Sequence, residues 1–151
     1  MTSQVRCVTP DETEAFGARL AASLRPGDVL VLAGGLGAGK TLLTRGIATG
    51  LGIDEPVTSP SFVLVKEYRS GFMPLIHVDV YRLGSLNEFD DLDVLEMSQD
   101  GVLVIEWGSA VEAVLPRDHL RVEFEVAPDG ARTLTFIGEG DWESRRLEHL
   151  S

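Results

Sequence analysis

The sequence is short of cysteine, of positive charge and of long apolar runs, and each shortage closes off a class of protein. A single cysteine, Cys7, permits no intrachain disulfide and has no Cys or His neighbour at metal-ligand spacing. It reads as a buried structural thiol. Only 13 Lys and Arg stand against 24 Asp and Glu, a formal charge of −11. Proteins that grip nucleic acid unaided carry a basic face that displaces counterions from phosphates, so strong direct RNA or DNA binding alone is not expected. No apolar run approaches the ~20 residues that span a bilayer, and Met1-Thr2-Ser3-Gln4 opens no basic segment ahead of a hydrophobic one. The expected protein is cytoplasmic, without a membrane association. There is also one asparagine, Asn87, and its neighbours form no Asn-Lys-x-Asp guanine-reading motif.

What is present fits one closed core: 151 residues, 44% of them hydrophobic, are too few for two comfortable domains. Thr9-Pro10-Asp11-Glu12 has capping-box spacing, and Phe16, Leu20 and Leu24 recur at i+4, predicting a helix to about Leu24. A buried strand is predicted from Asp28 to Ala33, and a helix from about Lys40 to Leu51. Phe62 to Tyr68 and Phe72 to Tyr81 read as a hairpin. Ser85-Leu86-Asn87-Glu88 opens a short acidic helical region that Gly101 ends; its six acids from Glu88 to Asp100, with no Lys or Arg among them, read first as a solvated face. Val102 to Ile105 is a further strand, Ser109 to Leu115 a short helix, and Leu120 to Val126 with Thr133 to Ile137 a hairpin turned by Asp129-Gly130. A last helix is predicted over Trp142 to Leu150. No repeat or low-complexity segment interrupts the pattern. The sum is an α/β fold: a P-loop NTPase-like central sheet, partly parallel, with antiparallel hairpin additions and flanking helices, in one domain over residues 1–151.

Between the first buried strand and its helix lies Gly34-Gly35-Leu36-Gly37-Ala38-Gly39-Lys40-Thr41. Gly-x-x-x-x-Gly-Lys-Thr is the P-loop, in which glycines let backbone N–H groups surround a phosphate without Cβ clashes. At average residue frequencies a chance match in a chain this long has a probability of about 0.5%. Gly34, Leu36, Gly37, Ala38, Gly39, Lys40, Thr41 and Leu42 are the nucleotide-binding candidates. Lys40 would place its ammonium between β- and γ-phosphates, Thr41 would hold Mg²⁺ through its hydroxyl, and the helix offers its positive N-terminus. Local geometry can thus overrule a negative net charge.

Hydrolysis also needs a carboxylate near the metal, at the end of a second apolar strand. Glu106 closes Val102-Leu103-Val104-Ile105-Glu106 and fits as a metal ligand. In Ile76-His77-Val78-Asp79-Val80-Tyr81 the alternation puts His77, Asp79 and Tyr81 on one face. Asp79 is the second acid, for positioning water or holding metal-bound water; a structural pairing with Arg82 is its alternative. His77 reads as a structural residue of the strand face before it reads as a proton carrier. Thr58-Ser59-Pro60-Ser61 lies where nucleotide-sensing switch loops lie, although a Pro-rigidified turn explains it equally.

The ordered set "GGLGAGKT", "VTSPSF", "HVDVYRL" and "IEWG" resembles the bacterial TsaE (YjeE) family, the P-loop ATPases of tRNA threonylcarbamoyladenosine biosynthesis. The resemblance runs over nearly the whole chain. It implies a protein that binds ATP with Mg²⁺ and supports turnover of the TsaD–TsaB complex, which modifies the adenosine beside the anticodon. By motif match, Lys40 would clamp phosphate, Thr41 and Glu106 ligate the metal, Asp79 serve as a catalytic-site acid and Trp107 lie beside it, with Thr9 and Arg132 on the nucleotide side. Two positions depart from the family: Gly35 stands where an acid is common, and Ser61 where Thr is usual. Neither removes a phosphate- or metal-binding group. A small-molecule kinase is the alternative function for the same P-loop, but no long Arg-rich lid insertion is visible.

Overall fold

The computed structural model describes residues 2–35, 38–58, 65–80, 89–90, 92–107, 111–143 and 145. Seven strands form one sheet: β1 (Thr2–Cys7), β2 (Val29–Ala33), β3 (Val65–Tyr68), β4 (Leu75–Asp79), β5 (Val102–Glu106), β6 (His119–Val126) and β7 (Arg132–Glu139). Their spatial order is β1-β7-β6-β2-β5-β4-β3. The four central strands β6, β2, β5 and β4 are parallel, while β7, β1 and β3 add antiparallel edges. The apolar runs explain the centre: β2, β4 and β5 are buried along almost their whole length, as strands covered on both faces must be.

Helices α1 (Pro10–Ala21) and α2 (Lys40–Gly50) cover one face. They pack Phe16, Leu20, Leu43 and Ile47 with Leu30, Leu32, Val102 and Val104 in the larger core cluster. The opposite face buries Val29, Ile76, Val78, Leu103 and Ile105 with Val94 and Val111. Val94 belongs to α3 (Val94–Met97) and Val111 precedes a 3₁₀ turn over Glu112–Val114. Thr9 caps α1: its hydroxyl accepts from the Glu12 N–H at 3.2 Å, and the Glu12 carboxylate accepts in return from the Thr9 N–H at 3.3 Å. This reciprocal cap satisfies donors that a helix start leaves free.

The two helices touch through backbone. A Cβ on Gly17 would lie 2.4 Å from the Leu43 carbonyl oxygen, and one on Gly46 would lie 2.0 Å from that of Glu14. Only glycine permits this approach, and it sets how far α2 sits from α1. At the other end of α1, Arg145 pins the turn into β2. Its Nη1 and Nη2 donate to the two Asp28 carboxylate oxygens at 2.7 and 3.0 Å, Nη2 also donates to the Ser23 carbonyl at 2.6 Å, and the guanidinium lies 3.5 Å from the centre of the Trp142 ring. A bidentate pair of this kind, stacked and largely shielded, is among the stronger ionic contacts a protein makes.

Several expectations hold and several need correction. Both hairpins form, with Val65–Tyr68 against Leu75–Asp79 and His119–Val126 against Arg132–Glu139. Helix α1 stops at Ala21, three residues short of Leu24, whose N–H bonds the Ala21 carbonyl in a closing turn. Among the described residues the acidic region is helical at Phe89 and Asp90 and again at Val94–Met97, and its Ser85–Glu88 capping box lies outside them. The helix expected over Ser109 to Leu115 is a single 3₁₀ turn, with 108–110 outside the described residues. Trp142 sits in a 3₁₀ turn over Gly140–Glu143; the rest of the expected last helix, except Arg145, lies outside the described residues. Strand β1 carried no strand signal, because it is mostly exposed and polar and pairs only with β7. Cys7 at its end is buried as expected, and that burial pushes its thiol pKa up. Among the described residues no helix is long and apolar enough to cross a membrane.

The helix contact makes a prediction whose sign separates packing from propensity. In an isolated helix Gly46→Ala would gain about 1 kcal/mol. Against the Glu14 carbonyl it forces backbone apart, so the variant is expected to lose roughly 2 kcal/mol or more net. Urea denaturation of the variant beside the parent protein measures it; equal or greater stability would mean that α1 and α2 do not approach this closely.

Candidate functional site

The site forms where β2 ends. Parallel order around β2 places β5 on one side and β6 on the other, and ligands of open α/β sheets bind in the crevice beyond strand C-termini at such a point. Four residues of the glycine loop are described here, Gly34, Gly35, Ala38 and Gly39, while the candidates Leu36 and Gly37 lie outside the described residues. Gly39 leads into α2 at φ +108°, a left-handed conformation that favours glycine. The Arg132 Nε donates to the Ala38 carbonyl at 2.9 Å. Because a trans peptide points its C=O and N–H in opposite directions, this bond turns the Gly39 N–H away from Arg132. Lys40, Thr41 and Leu42 follow in the first turn of α2, and a helix start offers backbone N–H groups and the positive end of the helix dipole.

Lys40 is only 5% exposed. Its Nζ donates to the Gly34 carbonyl at 2.7 Å and the Gly35 carbonyl at 3.2 Å, and lies 3.6 Å from the centre of the Trp107 ring. Burial pushes its pKa below the usual lysine value, and the charges of Glu106 and Asp79 push it back up. The ammonium is therefore folded onto its own loop, held by two carbonyls and an aromatic face. These are exchangeable partners: a phosphate can replace carbonyls at a lysine, since it offers more charge.

Asp79 and Glu106 end adjacent parallel strands and sit opposite each other in register. Both are nearly buried, at 6% and 4% exposure. The Thr41 hydroxyl donates to Glu106 Oε2 at 3.3 Å, and the His77 Nε2 lies 2.5 Å from the same oxygen. The structure thus brings Gly34, Ala38, Gly39, Lys40, Thr41, Asp79 and Glu106 to one end of the sheet. Thr9 is engaged as the α1 cap, while Arg132 backs the loop from β7. Thr58 donates its N–H to the Tyr68 hydroxyl at 3.4 Å and accepts from Lys66 Nζ; the rest of the candidate switch loop lies outside the described residues.

Two features escaped the sequence reading. His77 contacts Glu106, for which its strand-face alternation was the available signal. Trp107 adopts φ +64°, uncommon for a bulky residue, and its N–H donates to the Leu32 carbonyl at 3.0 Å. The chain thereby turns at the end of β5 and lays the indole beside Lys40; no residue type announces that turn. At Gly35, a Cβ would meet nothing within 4 Å among the described residues.

The donor set suits a hard cation. A threonine hydroxyl and one or two carboxylates, completed by phosphate oxygens and water, match Mg²⁺, which seldom occupies an all-protein cage. Among the described residues no group of three or more His, Cys, Asp or Glu is placed to hold a metal.

Comparison with known proteins was decisive. The family model described as "Threonylcarbamoyl adenosine biosynthesis protein TsaE" matches residues 7–134. The chain belongs to the TsaE family. It is 44% identical over 146 residues to the tRNA threonylcarbamoyladenosine biosynthesis protein TsaE of Bacillus subtilis, covering 97% of this chain and 92% of that one. It is 46% identical over 144 residues to the protein of the same name from Streptomyces coelicolor, covering 90% and 97%. The crystal structure of Bacillus subtilis YdiB is similar at a TM-score of 0.80 and 40% identity, covering 95% of this chain and 90% of that one. The mixed sheet of the TsaE fold is therefore the architecture expected from the sequence.

The Lys40–Trp107 contact should be visible in emission. Trp107 and Trp142 are the two tryptophans. Lys40→Met is expected to shift the fluorescence of the nucleotide-free protein by removing a cation from the Trp107 ring, and to leave a Trp107→Phe background unchanged. A shift that persists with Trp107→Phe and disappears with Trp142→Phe would place the reporter elsewhere.

Proposed function

We propose that this chain binds ATP with Mg²⁺ at the glycine loop and hydrolyses it in support of tRNA threonylcarbamoyladenosine modification, as an accessory to the TsaD–TsaB complex. The observation that carries the reading is the convergence of Lys40, Thr41, Asp79 and Glu106 beyond the ends of β2, β4 and β5. A loop alone would bind phosphate; two carboxylates beside it supply a reason for hydrolysis. The lack of an Asn-Lys-x-Asp motif supports adenine over guanine, and the absence of a basic excess supports a role beside a tRNA-handling complex rather than direct tRNA binding.

In this mechanism the loop amides and the α2 N-terminus hold the phosphates, while Lys40 leaves its carbonyls to neutralise the charge that develops on them. Thr41 and Glu106 would hold Mg²⁺, which supplies charge stabilisation at the phosphate oxygens when bound. Asp79, in register with Glu106, would accept a hydrogen bond from a water beside the γ-phosphate. Trp107 shields Lys40 from solvent and so strengthens its electrostatic interactions. One small domain with a single P-loop and no long Arg-rich insertion in its sequence has little chain to spare for enclosing the reacting groups, so turnover by the isolated protein should be slow. Partners would complete the enclosure, and nucleotide state would set their affinity by reciprocal linkage.

Glu106→Gln keeps size and packing and removes the charge, so hydrolysis should fall by roughly 100-fold while ATP affinity changes far less. Lys40→Ala should abolish useful ATP affinity with the fold intact. The decisive measurement is ATP hydrolysis by the protein alone and with purified TsaD and TsaB, together with pull-downs in ATP, ADP and no nucleotide. Rapid phosphorylation of a small metabolite by the isolated protein, without nucleotide-dependent partner binding, would favour a kinase instead.

A further inference from the structure

The alternation that carries Asp79 to the end of β4 puts His77 on the same face two residues earlier, fully buried and opposite Val104 of β5. Glu106 stands diagonal to it, within reach of a long side chain on the neighbouring strand. The His77 Nε2 lies 2.5 Å from Glu106 Oε2, whereas His77 Nδ1 is buried with no hydrogen-bond partner among the described residues. The proton therefore belongs on Nε2, where it meets a carboxylate, and Nδ1 keeps its lone pair, because an N–H buried without an acceptor is costly.

The same carboxylate oxygen has a second donor, the Thr41 hydroxyl at 3.3 Å. The two bonds differ in kind. The Thr41 bond is long for O–H···O, comes from a half-buried helix start, and uses the hydroxyl that the reading above assigns to Mg²⁺. The His77 bond is short, buried and carried by a central strand. We infer that His77 is a positioning residue for Glu106: its Nε2–H holds the buried carboxylate in place for the metal when Thr41 turns its hydroxyl to the same ion. Outer-shell donors of this kind fix ligand orientation, and losing one costs 10- to 100-fold in metal affinity or activity. This inference rests on the nucleotide–Mg²⁺ reading of the site. It separates two functions within one pocket: Lys40 and the loop bind the nucleotide, and His77 acts only on the coupling between nucleotide and metal.

The test is ADP binding by the full chain, followed by calorimetry and by Trp107 emission, as Mg²⁺ is raised from none. His77→Leu, which removes the donor, should raise the Mg²⁺ needed for half-maximal tightening by about 10- to 100-fold and leave metal-free ADP affinity within about threefold. His77→Gln, whose Nε2 can reach the same oxygen, should stay near the parent protein, and His77→Asn, with a shorter reach, should resemble His77→Leu. Adding His77→Leu to Glu106→Gln should change little further, since the group it positions is already altered. Normal Mg²⁺ dependence in His77→Leu, or an equal loss of metal-free ADP affinity, would overturn the inference. Should His77→Leu fail to fold, the Gln–Asn pair decides, and equal behaviour of those two would also overturn it. A parent protein whose ADP binding ignores Mg²⁺ would remove the metal reading and this inference together, whereas Mg²⁺-dependent binding with indifferent His77 variants removes the inference alone.

Discussion

A carboxylate kept nearly out of water at the end of a central strand is the constraint around which this molecule is arranged. Glu106 is 4% exposed, and an ionised group so placed is unfavourable unless donors and opposite charge surround it. The surroundings come from two other parts of the chain, His77 from β4 and the first turn of α2 with the Thr41 hydroxyl and the charge of Lys40, brought together by the strand register that ends β5 level with β2 and β4. Shifting β5 by one residue would send Glu106 to the opposite face, where Ile76 and Val78 are buried. The apolar pattern that stabilises the sheet is thus also what delivers the acid to the glycine loop.

The loop is held with comparable strictness from the other side. Gly17 and Gly46 let α1 and α2 meet at their backbones, Arg132 reaches from β7 to the Ala38 carbonyl, and the β2 apolar run anchors the strand before the loop. Those contacts join segments far apart in sequence around a loop whose own residues supply few side chains. Pre-organisation of the glycine loop therefore depends on packing beyond it, since glycine gives the loop freedom that only its neighbours can remove.

Much of this was legible in sequence because the signals are local. Continuous apolar runs gave β2 and β5, alternation gave β4, Asp129-Gly130 gave the hairpin of β6 and β7, and the P-loop spacing located Lys40 and Thr41 between strand and helix. Strand-end position singled out Glu106 and strand alternation singled out Asp79, and the structure pairs the two in register. What stayed hidden depends on contacts between distant segments. Strand β1 is polar and exposed, and exists through its ladder with β7. The parallel pairing of β6 with β2 leaves no mark on either strand. Gly17 and Gly46 look like weak points in helices until their close approach is known. The His77–Glu106 bond joins residues 29 positions apart, and a strand-face histidine has no local feature to distinguish a structural ring from a positioning one.

Trp107 carries a consequence for anyone who would improve this protein by selection. Its φ of +64° costs a bulky residue about 1–3 kcal/mol in backbone strain, a cost that glycine or asparagine at the same position would largely escape. The ring that incurs it lies against the Lys40 ammonium. A library sorted for thermal resistance alone would therefore be drawn to replace this residue, and its winners would fold well while having lost the aromatic cover of the glycine-loop lysine. Position 107 is where robustness and activity pull in opposite directions, so any such search needs nucleotide binding as a second criterion.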